Sequence, residues 1–101
     1  MSHLAQWLAS RHHGLNTYRG FQQQIKQQAA LDTGHRALYH LLYAMADDYI
    51  EMFDEAPLPV DKAEIVFAKF LSIVRTAEAS ITLTPQAQLN ALNEIAAVEL
   101  T

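Results

Sequence analysis

The chain contains no cysteine, which excludes disulfides, thiolate zinc sites, iron–sulfur clusters and a cysteine nucleophile. Glycine and proline are scarce, three of each, and they fall where helices should start or stop. No segment alternates polar and apolar residues with period two, so no sheet is expected. Long apolar runs are also missing. Lys69 interrupts the longest candidate, Ile65 to Val74, so no transmembrane helix is expected. Met1-Ser2-His3-Leu4 lacks the basic region and apolar stretch of a secretory signal, and a cytoplasmic protein without membrane contact is the expectation.

Apolar residues, by contrast, make up half of the 101, ample for one core and one domain spanning residues 1–101. The net charge of −4 is unevenly spread. Residues 1–46 carry Arg11, Arg19, Lys26 and Arg36 against Asp32 alone. Residues 47–101 carry ten acids against Lys62, Lys69 and Arg75. Such halves either pack on each other or present opposite faces to partners.

Five helical segments are legible. The first runs from about Ser2, a candidate N-cap, to His13, with Gly14 as a left-handed C-terminal residue. The second runs from Asn16 or Thr17 to about Ala30, with Tyr18, Phe21, Ile25 and Ala29 on one face. If Gly14 fails to break the chain, the two form one long bent helix. Gly20, inside the second, costs about 1 kcal/mol relative to alanine. The third is capped by Asp32 or Thr33 and continues to about Phe53. Its core stripe is Leu38, Leu41, Leu42, Met45, Tyr49 and Met52, and Pro57 and Pro59 end it. Asp61-Lys62-Ala63-Glu64 reads as a capping box opening the fourth, whose stripe is Ala63, Val66, Phe67, Phe70, Val74, Ala77 and Ile81. Thr84-Pro85 opens the fifth, which carries Leu89, Leu92, Ile95 and Ala96. Short connections at about 55–60 and 82–84 make neighbours antiparallel. The expected fold is all-α, a compact four- to five-helix bundle.

Chelation from one helix requires ligands three or four residues apart. No pair among His3, His12, His13, His35 and His40 has that spacing. Asp32-x-x-His35 does, but Asp32 falls where a cap belongs, so no metal site and no cofactor are expected. Arg36, His40, Tyr43, Asp47 and Glu51 share a polar stripe without an accompanying nucleophile or glycine-rich loop, and read as a solvated face rather than a catalytic one. Asp48 projects near the apolar stripe and must reach solvent or pair with Arg11, Arg19 or Lys26, the pairing being expected.

A helix-turn-helix over residues 17–54 would place Thr33, His35 and Arg36 on DNA. The acids further along that helix oppose phosphate, so nucleic acid is disfavoured. The third helix is apolar well beyond its core stripe, through Tyr39, Tyr43, Ala46, Ile50 and Phe53, and Ile65 lies opposite the core face of the fourth. Surplus apolar surface of this kind marks an interface, unless the first helix, with Leu4 and Trp7, folds over it. The expected function is therefore a non-enzymatic protein-interaction module or small regulatory adaptor, forming a homodimer. Its contact residues are Tyr39, Tyr43, Ile50, Phe53 and Ile65, and the acidic residues Asp47, Glu51, Asp54 and Glu55 would steer a basic partner. A DNA-associated regulator is the alternative, and a small-ligand or metal-binding bundle the weaker one.

Overall fold

A computed structural model describes residues 3–55 and 58–99, with the side chains of Asp54 and Glu55 outside that description. Ser2 as a cap and Pro57 as a stop therefore lie outside it. The chain forms α1 (Leu4–Ala9), α2 (Leu15–Leu31), a 3₁₀ turn (Thr33–His35), α3 (Arg36–Glu55), α4 (Val60–Ser80) and α5 (Pro85–Ala96). It is an all-α bundle with no strand among the described residues, measuring 39 × 25 × 21 Å. Among those residues no helix is long and apolar enough to cross a membrane.

The first two helices are separate. α1 stops at Ala9, where the Ser10 hydroxyl donates back to the Trp7 carbonyl at 2.7 Å. Gly14 is not a left-handed terminator: it sits extended at φ −80°, ψ 165°, as the residue that opens α2. Gly20 is more than a helix cost. A Cβ there would meet the Trp7 ring at 3.0 Å, so the missing side chain lets the indole lie on α2. Arg11 covers the same ring, its guanidinium carbon 4.7 Å from the centroid.

α1 is too short to hold itself. It buries Leu4 and Leu8, packs against α4 and α2, and receives a cap from far along the chain. The Ala5 amide in its first turn donates to the Glu78 carboxylate of α4 at 2.5 Å. Glu78→Ala should cost about 1 kcal/mol, as cap removals do. It should also loosen α1, seen as a red shift of the emission of Trp7, the only tryptophan. An unchanged spectrum and melting curve would show that apolar packing alone holds α1.

α2 and α3 pair antiparallel over their lengths. Tyr18 stacks on Tyr49 with centroids 3.8 Å apart. Further along, Gln22 donates to the Tyr43 carbonyl at 3.3 Å, and Lys26 sits 5.5 Å from the Tyr43 ring. At the closed end Tyr39 donates to Asp32 at 2.9 Å. Contacts thus advance along α2 as they retreat along α3, which defines a hairpin. A helix-turn-helix crosses its helices at about 90–120° instead.

α4 packs on the hairpin through Phe70, fully buried, 5.2 Å from Tyr18 and 5.0 Å edge-on to Phe21 by ring centroids. The Tyr18 hydroxyl, buried there, has no hydrogen-bond partner. Burial and then the adjacent Tyr49 push its pKa far up, so the phenol stays neutral. α4 starts one residue before the expected capping box, at Val60 behind Pro59, with no side-chain cap. Asp61 then serves in the first turn, where a carboxylate favours the helix dipole. Thr84 caps α5 as expected, accepting from the Ala87 amide at 3.3 Å, with Pro85 next. The face of α5 is rotated from expectation: Ala91 and Ile95 are buried, while Leu89 and Ala96 are exposed.

Candidate functional site

The apolar flank of α3 is buried or half-buried within the chain, Tyr39 and Tyr43 beside α2 and Phe53 beside Leu58 and the start of α4. Tyr39 and Ala46 are core residues, 1% and 0% exposed. Tyr39 therefore cannot supply open contact area. Tyr43, Ile50 and Phe53 are half-buried against the core. Ile65 on α4 stands 60% exposed. The five expected contact residues do not form one patch. Tyr39 and Tyr43 belong to a groove between α2 and α3, and Phe53 and Ile65 line a smaller cleft of about 260 Å³ with Met52, Leu58, Lys62, Val66 and Lys69.

The α2–α3 groove is the larger site, about 760 Å³. Ile25 and Ala29 from α2 and Tyr39 and Tyr43 from α3 form its floor, with Ala30 and Ala37 at the sides. Its rim carries Lys26, Arg36 and His40, all exposed. The alanines are as important as the cations, because two methyl-lined helices leave a depression that larger side chains would fill. Reading the sequence alone missed Ile25, Lys26, Ala29, Ala30 and Ala37 as a site. The usable signal was small residues beside basic ones on both arms of the hairpin.

At the closed end of the hairpin the Asp32 carboxylate does not cap a helix. It accepts from Tyr39 Oη at 2.9 Å and lies 2.8 Å from His35 Nδ1. Partial desolvation raises the Asp32 pKa, but the Tyr39 and His35 hydrogen bonds outweigh it and hold the carboxyl below its ordinary value. Burial, and then the same contact, push the Tyr39 phenol well up, which keeps it a donor. His35, a DNA contact only in the alternative helix-turn-helix reading, is thus tied to Asp32. Thr33 is exposed, and Arg36 is on the groove rim.

Next to His35 lies a pocket of about 70 Å³ lined also by Ser80, Gln88 and Leu92, room for a few waters rather than a substrate. A serine beside an aspartate-bound histidine suggests nucleophilic chemistry, but the buried Ser80 hydroxyl donates to the Ala77 carbonyl at 2.7 Å. That is the ordinary back-bond of a serine in a helix.

The acidic residues are dispersed. Asp47, half-buried, accepts from Gln22 Nε2 at 3.3 Å, and Glu51 is exposed. Asp54 and Glu55 have side chains outside the described residues. Asp48 takes the solvent option rather than the expected ion pair. It is exposed at a cleft with Ala96, Val98 and Glu99. No group of three or more side chains able to hold a metal occurs among the described residues.

Fold and site together define a class: a small antiparallel helical bundle with an open, basic-rimmed groove on its principal hairpin. Comparison with protein-family models, curated proteins and solved structures finds no match to this chain.

Proposed function

We propose that this protein is a non-enzymatic interaction module that works by docking a partner protein in the α2–α3 groove. The observation that carries the reading is the groove itself, about 760 Å³. It is backed by the buried side chains of Ile25 and Tyr39 and framed by two helices that the core holds in register. A shallow trough between two helices is where an amphipathic helix lays its apolar side. Small-molecule sites, by comparison, bury about 70–90% of their ligand, and here Lys26, Ala30, Arg36, Ala37 and His40 are all exposed. Partner binding at a rigid surface also agrees with Ser80 and His35 being engaged in structural hydrogen bonds.

A homodimer is one form of this reading, with a second copy as the docked protein. A photo-crosslinker placed at Ala37 tests it. Discrete adducts should form from Ala37 in the groove and not from Ser72, which is exposed on α4.

A further inference from the structure

Resting on the interaction reading above, we infer that the groove takes an acidic amphipathic α-helix of a partner protein. The ionisable side chains on its rim are Lys26, Arg36 and His40, and no carboxylate among the described residues lines it. This is a local reversal, because the chain as a whole carries −4. Of the other carboxylates of the hairpin, Asp32 is hydrogen-bonded to Tyr39 and His35 at the turn, Asp47 to Gln22, and Asp48 and Glu51 are exposed further along α3.

Each part of the wall matches a part of such a helix. A helix with side chains is about 10–12 Å across, so its backbone approaches only where the trough is lined by small residues, and Ala29, Ala30 and Ala37 supply them. Leucine-like side chains would lie over the half-buried Tyr43 ring. Arg36, exposed at the start of α3, can hold a glutamate with two parallel hydrogen bonds, whereas Lys26 acts as a point charge. The N-terminal dipole of α3 adds to the attraction at Arg36.

The test uses the whole protein and two fluorescent synthetic helices of about four turns. Both have the same leucine spacing, one flanked by glutamate and the other by lysine, and binding is read by anisotropy. The glutamate peptide should bind at least about tenfold tighter than the lysine peptide, a difference that shrinks as salt rises. Lys26→Glu with Arg36→Glu, both at exposed positions, should leave circular dichroism and Trp7 emission unchanged and reverse the preference. Equal binding of both peptides, abolished by filling the groove with Ala37→Trp, would overturn the acidic assignment while leaving a helix-docking groove. Binding of neither peptide would overturn both.

Discussion

Phe70→Ala should destabilise the fold by about 3–5 kcal/mol, the range for removing a buried aromatic ring. Phe70 is fully buried and is the ring that α4 inserts between Tyr18 and Phe21 of α2. Its loss leaves a cavity between α4 and the hairpin. A domain of this size has a total stability of about 5–15 kcal/mol, so the variant should melt far below the wild type or populate a loosened state. Urea denaturation checks this. Phe70→Leu, which keeps part of the volume, should lose less. Equal losses would mean that retained volume contributes nothing and that the ring contacts with Tyr18 and Phe21 account for the whole effect.

Tyr39→Phe is the second large effect. The ring is 1% exposed and its hydroxyl donates to the Asp32 carboxylate, so removing the oxygen should destabilise the fold at neutral pH. Its pH dependence has a definite sign. The folded Asp32 pKa lies below its ordinary value, so the group's stabilisation is complete above the unfolded carboxylate range, about pH 4, and is lost as pH falls through the folded pKa. The difference between wild type and Tyr39→Phe should therefore be flat from pH 8 to about 5 and narrow below about 4. Melting temperatures across that range measure it. A difference independent of pH would place the contribution in packing rather than in the Asp32 contact.

Much of this architecture is legible from residue spacing. The stripe from Ala63 to Ala77 and the Thr84-Pro85 start of α5 follow from periodicity and capping chemistry alone. What spacing cannot supply is the side from which a neighbour approaches. Leu89 has a core-like position in its own helix, yet it is exposed because α4 meets α5 along Ala91 and Ile95. The Tyr39–Phe53 flank looks like surplus surface until the hairpin register places Tyr18, Gln22 and Lys26 over α3. Gly20 carries a helix cost in sequence and a packing purpose only once Trp7 lies on it.

The groove was the least legible feature, since six of its residues lie on α2 or at the start of α3 and none has unusual chemistry alone. Alanine beside a cation is common on any helix. It becomes a site only where two such helices run side by side and larger side chains are missing from both. Asp32 and His35 show the converse. Their spacing attracts attention in the sequence, but the structure uses them, with Tyr39, to lock the turn between α2 and α3.

The most direct test of the docking surface uses the absence of native cysteine, which makes any introduced thiol a unique handle. Ala37→Cys and Ser72→Cys, both at exposed helix positions, would be labelled with a benzophenone and irradiated, alone and in extract of the cells that make the protein. The proposed function predicts discrete adducts from position 37, either a covalent dimer in the purified sample or one distinct protein in extract, and none from position 72. Absence of adducts from position 37, or the same adducts from both positions, would contradict a docking surface on the α2–α3 hairpin.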